Sequence, residues 1–476
     1  MIKHFVVLCL TALCLLLSSC RDEFTTNPAY TVGFSVDTLS FDTVFTTVGS
    51  ATRTIMVYNH NKYQLRLDEV KLEQGANSPF RINVSGQANV ENRFTNIEMR
   101  SKDSMYVFVE VTVDPSSQNT PLRIEDKFCI SVNGRQESVV LQAYGQDVII
   151  FRNHTFQENN TILTDEKPYL IYGDLVVDTL KTLTVTPGAK LYFHNGANLK
   201  VKGNLIAKGS LQQPIVFRGD RFDRMSEGTP YEDMPLQWGG IQLTGCDAAH
   251  ELEYMDIQGG TTALSLPIEK TQLYIRYSRI HNFGKNGIDA KNAIVTIENS
   301  EISNCGEYCL AFAGGNYTVV QSTIANYYWY ASRTSSSVAL RNYTWQDENQ
   351  IAGPINANFT NCIIYGASDT ELFFDKADDE NISMTCLFKN CLLKMQEKDR
   401  PESGSEYFKD VIWNSAKEDV FESTKRKFDF RLHENSPAIG KADVSVAEQY
   451  PTDLNGNSRI GDSQADIGAY KKTPDN

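Results

Sequence analysis

Between Tyr277 and Ile324 the chain repeats itself every 22 residues. Tyr277-Ser278-Arg279-Ile280-His281-Asn282-Phe283-Gly284 returns as Asn299-Ser300-Glu301-Ile302-Ser303-Asn304-Cys305-Gly306, then as Gln321-Ser322-Thr323-Ile324-Ala325-Asn326. Farther along the repeat, Ile288 matches Leu310, Thr296 matches Thr318 and Ile297 matches Val319. A fixed period of this size means that copies of one unit stack and bury a shared apolar face, so a solenoid is the first constraint on the fold. The apolar residues sit in short β-branched runs cut by Gly and Asn, without sustained helical spacing. Three short strands and three turns fill one period, so each repeat is one coil of a parallel β-helix, with coils about 4.8 Å apart. Ile280, Ile302 and Ile324 then form an inward ladder. Asn282, Asn304 and Asn326 stack at a tight bend, where Asn tolerates positive φ and its amide reaches the neighbouring coil. Each such bond contributes about 1 kcal/mol net.

The pattern Ser-x-Ile-x-Asn with a following Gly resembles the right-handed parallel β-helices of the pectate-lyase-like class. The solenoid is expected over 148–476, with irregular entry coils around the Pro187-Gly188 turn and later coils through Ile257, Ile364 and Leu393. Insertions are expected at 218–237 and 327–356. Near the end, Asn435-Ser436-Pro437-Ala438-Ile439-Gly440 and Asp466-Ile467-Gly468-Ala469-Tyr470 resemble the closing element of bacterial surface β-helix proteins of the "choice-of-anchor" type.

Residues 31–147 read differently. Met105, Val107, Val109, Val111 and Val113 alternate at period two, and Asn133-Gly134 is a hairpin turn between two further apolar runs. About seven short strands make this a β-sandwich. Ile55-Met56-Val57-Tyr58-Asn59, Ser78-Pro79-Phe80 and Val111-Thr112-Val113-Asp114-Pro115 resemble the abnormal-spindle/hydin type of immunoglobulin-like module. The fold expected is therefore all-β: an Ig-like β-sandwich followed by a right-handed single-stranded parallel β-helix.

The first 19 residues pair a short basic start with an apolar run too short to span a membrane. Leu17-Ser18-Ser19-Cys20 resembles a bacterial lipobox, which implies cleavage before Cys20, lipidation of Cys20 and a tether over 20–30. Arg21-Asp22-Glu23 resembles the surface-export signal of Bacteroidetes lipoproteins. Together these imply an outer-membrane lipoprotein facing outward, touching the membrane through its lipid alone. The formal charge of −14 argues against nucleic acid as a partner. Beyond Cys20, seven cysteines remain, an odd number. Cys362 and Cys391 fall at the phase of Ser278, Ser300 and Ser322, as buried thiols or as a bridge between coils.

Chemistry on a β-helix comes from side chains that project outward. Arg279 and Glu301 share a phase one coil apart and should stand side by side, either as a surface ion pair or as part of a site. His281 shares its phase with Ser303 and Ala325 and is expected in a solvated turn. The first insertion brings Arg218, Asp220 and Arg221 near Trp238, forming a polar cleft with Arg279 and His281 or pairing internally. The second carries Tyr327, Tyr328, Trp329, Tyr330, Tyr343 and Trp345, aromatic faces suited to stacking on sugar rings. Asp453-Leu454-Asn455-Gly456-Asn457 departs from the EF-hand spacing and reads as a structural turn. No metal site and no cofactor are expected, except Ca²⁺ under a lyase reading.

Two functions follow. The first is a non-catalytic β-helix that binds a polysaccharide or a surface protein. The second is a polysaccharide lyase or glycoside hydrolase acting on an acidic polysaccharide. An enzyme requires carboxylates or bases converging in one cleft; a binder requires only the aromatic residues. The clearer aromatic clustering favours the binder.

Overall fold

The computed structural model describes residues 23–473 except 47, 116–120, 227, 247, 347–348, 401–405, 414–418, 426 and 460–462. Residues 1–19, expected as a signal segment, and Cys20, expected to carry lipid, lie outside the described residues. The chain divides into two compact units between Asp147 and Val148.

The first unit is two five-stranded sheets around one apolar core. Strand Ser104–Val111 shows the cause: Met105, Val107, Val109 and Val111 are buried, and Tyr106 and Phe108 point outward. Strands Leu122–Val132 and Arg135–Gln146 meet at a turn in which Asn133 and Gly134 take φ of +50° and +75°, as a two-residue I′ hairpin demands. Strand Thr38–Phe45 then joins Arg135–Gln146 in parallel.

The second unit is a right-handed parallel β-helix. Strand Arg279–Phe283 pairs with Glu301–Cys305, which pairs with Thr323–Asn326, and so on to Ile363–Gly366 and Leu392–Leu393. Phe217, Ile257, Ile280, Ile302, Ile324, Ile364 and Leu393 form one inward ladder, all fully buried. The serine phase ties coils together: Ser278 N donates to Ser300 Oγ at 3.1 Å, and Ser300 N to Ser322 Oγ at 3.2 Å. Cys362 and Cys391 continue this phase as buried free thiols.

Two boundaries differ from the sequence reading. The stretch 327–356 is not one insertion, because Val338–Arg341 rejoins the solenoid beside Leu310–Ala313 and buries Leu340. It comprises an excursion over 327–337 and the hairpin Tyr343–Gln346/Asn349–Ala352. Likewise strand Ile215–Gly219 carries Arg218 and Gly219 into the sheet, so the first excursion starts at 220.

The C-terminal segment folds back onto the solenoid. Two outward rows explain where. One runs Asp256, Arg279, Glu301, Thr323, Ile363, Leu392; the other runs Gln258, His281, Ser303, Ala325, Tyr365. Both change from polar to apolar along the axis. Phe421, Phe430, Leu432, Ile467, Ala469 and Tyr470 cover the apolar end, packing with Ala325, Ile363, Tyr365 and Leu392.

Candidate functional site

The polar end of these rows is the floor of a cleft of about 650 Å³. Arg279, His281, Asn282, Glu301, Ser303 and Asn304 come from the solenoid. Asp233 and Tyr330 come from the two excursions, and Lys427 to Arg431, Asn455 and Tyr470 from the C-terminal segment.

Arg279 and Glu301 are side by side, as their phase predicts. They are not an exposed ion pair. Glu301 is only 7% exposed, and Tyr470 lies between them. The Tyr470 hydroxyl donates to Glu301 Oε2 and accepts from Arg279 Nε at 3.3 Å. Ser303 Oγ donates to Glu301 Oε1 at 2.6 Å, and Arg279 Nη2 to Asn455 Oδ1 at 2.5 Å. Burial works against the guanidinium charge, but Tyr470 and Glu301 outweigh it and hold the Arg279 pKa above its usual value. Burial, reinforced by Glu301, keeps the Tyr470 phenol protonated.

His281 sits on a strand, with Nε2 3.0 Å from Asp256 Oδ1, and not in a solvated turn. The outward phase of the strand places it over Asp256 of the preceding coil. Burial favours neutral imidazole, yet the bond and charge of Asp256 prevail and raise the His281 pKa. Burial likewise pushes Asp256 up, and His281 pulls it below the ordinary carboxylate value. Each group thus favours the charged form of the other.

Two carboxyl groups lining the cleft shift in opposite directions. Burial, then the nearby charge of Glu232, raises Asp233. Asp429 is held low by Arg431, whose Nε and Nη2 reach it at 2.9 and 2.6 Å.

The polar residues of the first excursion pair with one another and with the adjoining solenoid. Buried Arg218 donates to Glu232 Oε2 at 2.8 Å and to the Arg221 carbonyl at 2.7 Å. Arg221 bonds Asp223 and lies over the Tyr231 ring, and Asp220 reaches His194 Nδ1 at 2.7 Å. None of the three lines the cleft; Arg218 instead braces the excursion that carries Asp233. Trp238 is a core residue, stacked on Phe193 at 4.3 Å, with Nε1 bonded to the Gln258 carbonyl. It opens an inward strand position, and its place beside a polar loop in the chain concealed that.

The six aromatic residues do not form one platform. Tyr327 packs on Phe421 and Phe430. Tyr330 lines the cleft and donates to the Asp233 carbonyl, with Tyr328 and the exposed Trp329 beside it. Tyr343 is buried and donates to Asp375 at 2.7 Å, while Trp345 stands exposed, edge-on to it, on the separate hairpin. Asp453 is a turn residue whose Oδ1 accepts from Asn455 N and Asn457 N.

Sequence reasoning missed Asp233, Asp256, Asn282, Lys427, Asp429, Arg431 and Tyr470. Asp256 had a signal, since it shares the phase of Arg279 and Glu301. The others on excursions and on the C-terminal segment lie outside the repeat.

No family model matches the chain, and no curated protein matches it. Among solved structures, Dex49A from Penicillium minioluteum is similar over 77% of this chain and 74% of its own, at 10% identity and a TM-score of 0.22. So low a score leaves the strand register described above as the ground for the fold.

Proposed function

We propose that the cleft is the active site of a glycan-cleaving enzyme of the glycoside hydrolase class. One observation carries the reading: Asp233, Arg279, His281, Glu301 and Asp429 converge in one cleft, and two of its carboxyl groups are pushed apart in acidity. Glycoside hydrolysis needs one carboxyl that keeps a proton and another group that is ionised. Asp233 is the proton donor to the leaving oxygen, and Asp429 the ionised carboxylate. Arg279 supplies positive charge, which suits an acidic polysaccharide, and the His281–Asp256 pair orients the sugar. A lyase reading is weaker, because its base must lose a proton readily and Arg279 holds its proton more firmly than usual. The dispersal of the aromatic residues weighs against the non-catalytic reading. Anchoring through lipidated Cys20 at the outer membrane, facing outward, completes the proposal.

The test is a screen of the protein lacking its signal segment against acidic and neutral polysaccharides, with and without Ca²⁺. New reducing ends without unsaturated sugars are expected. Asp233→Asn should lower turnover by about 10²- to 10⁴-fold, and Trp345→Ala should leave it unchanged. Unsaturated products would point to a lyase. Binding without turnover on every polysaccharide would restore the non-catalytic reading.

A further inference from the structure

The C-terminal segment carries a second cavity, of about 350 Å³, that adjoins the cleft. Arg431 and Asn455 line both. Both side chains are exposed, so the boundary between the two hollows is a rim open to solvent. Each commits part of its side chain to the cleft and keeps a donor. Asn455 Oδ1 accepts from Arg279 Nη2 at 2.5 Å, which leaves its Nδ2 unbonded among the described residues. Arg431 Nε and Nη2 hold Asp429, which leaves Nη1 unbonded among them. Lys471 and Lys472 also line the second cavity, with one carboxylate, Glu422, which Lys472 meets at 2.9 Å. Among the described lining residues the cations Arg431, Lys471 and Lys472 thus outnumber the single anion, in a chain whose formal charge is −14. The cavity beside Tyr365 differs, because its lysines, Lys394 and Lys425, are matched by Asp419 and Glu422. The turn at 453–457 fixes the arrangement. Asp453 Oδ1 accepts from Asn455 N and Asn457 N at 2.9 and 2.7 Å, and Oδ2 from Asn457 Nδ2 and Lys471 N, both at 3.0 Å. One buried carboxylate therefore holds Asn455 and Lys471 at a set spacing.

We propose that this second cavity is a sugar subsite that takes the carboxylate of a uronic-acid residue adjoining the one bound in the cleft. This rests on the glycan reading of the cleft and deepens it: the acidic chain leaves the solenoid floor across Arg431 and Asn455 and passes onto the C-terminal segment. The chemistry is selective. A carboxylate has only acceptors, and the groups left over at the rim, Asn455 Nδ2 and Arg431 Nη1, are donors, with the two lysine charges behind them. A neutral ring would meet the same donors without the attraction between charges.

Calorimetric titration with galacturonate oligomers from the dimer to the pentamer tests this, with cello-oligosaccharides of the same lengths as neutral probes. Wild type is expected to bind the uronates, with a rise in affinity of about tenfold at the length that fills both cavities. Cello-oligosaccharides should show no such rise. The rise should shrink severalfold when salt reaches about 0.5 M, because charges this close to solvent are screened. Lys471→Gln and Lys472→Gln should each lower it severalfold. Both variants should melt with wild type, because the bonds of Lys471 N to Asp453 and of Lys472 N to Asp466, at 3.0 and 2.8 Å, are made by the main chain and survive the substitution. A uronate affinity that does not grow with length would overturn the subsite and leave the cleft reading intact. A rise that persists at high salt, or that both variants keep, would overturn it as well. An equal rise with cello-oligosaccharides would overturn the carboxylate assignment. If wild type binds neither series, the glycan reading falls and the subsite with it, an outcome distinct from the others.

Discussion

Two histidines in the solenoid respond to pH with opposite signs. His250 is 1% exposed; Nδ1 accepts from Leu205 N at 3.2 Å, and Nε2 has no partner among the described residues. Burial depresses its pKa to about 4. The unfolded chain binds this proton near pH 6.5 and the folded chain does not. The stability due to neutral His250 is therefore intact above about pH 6.5 and lost as pH falls toward 4, on the order of 3 kcal/mol in all. His250→Asn retains an acceptor for Leu205 and should flatten this loss. Urea midpoints of wild type and variant, compared near neutrality and at acid pH, measure it; parallel curves would show that His250 carries no linkage. His281 behaves in the reverse sense, because Asp256 raises its folded pKa against burial. Its contribution is full below its unfolded pKa and fades as pH rises through the folded value. Asp256→Asn should bring that fade to lower pH, read from the imidazole proton resonance of His281.

The excursion over 327–337 owes its place to a buried ion pair. The side chains of Arg333 and Glu371 are 3% and 0% exposed. Arg333 Nη2 and Nη1 meet the two Glu371 oxygens at 2.7 and 3.0 Å, and Ser337 Oγ and Ser368 N also donate to Glu371. Arg333 Nη2 also bonds the Asn326 carbonyl, at the end of a solenoid strand. The pair thus fixes the loop that brings Tyr330 to the cleft. Glu371→Ala would strand a buried guanidinium and should cost about 3–5 kcal/mol in chemical denaturation. A loss below about 1 kcal/mol would mean that water reaches Arg333 when its partner is gone.

The C-terminal segment joins stability to the site. It covers the apolar ends of the two outward rows and lends Asn455, Tyr470 and Asp429 to the cleft. A chain ending at Asp419 should keep its early coils, whose core comes from the solenoid strands alone. It should expose Ala325, Ile363, Tyr365 and Leu392, bind a hydrophobic dye strongly and lose cleft binding. Unchanged dye binding would show that another part of the chain covers these rows.

Much of this architecture is written in the repeat. Residues one period apart become neighbours because one coil is one unit of the repeat, so the isoleucine ladder, the serine ties and the adjacency of Arg279 and Glu301 follow from the spacing alone. The hairpin at Asn133-Gly134 was equally plain, since few residues accept its backbone angles. The cleft was not legible. Tyr470 and Asn455 reach Arg279 from 191 and 176 positions away, outside any period. Their approach depends on which coils expose apolar rows for the chain end to cover. Trp238 and Tyr343 looked like surface aromatics for a related reason: a ring in an aperiodic stretch has no same-phase neighbour to say whether it points inward. Strand pairing is a matter of spacing along the chain, whereas the site depends on long-range burial, and the free energy of that burial belongs to surfaces that meet only in the folded molecule.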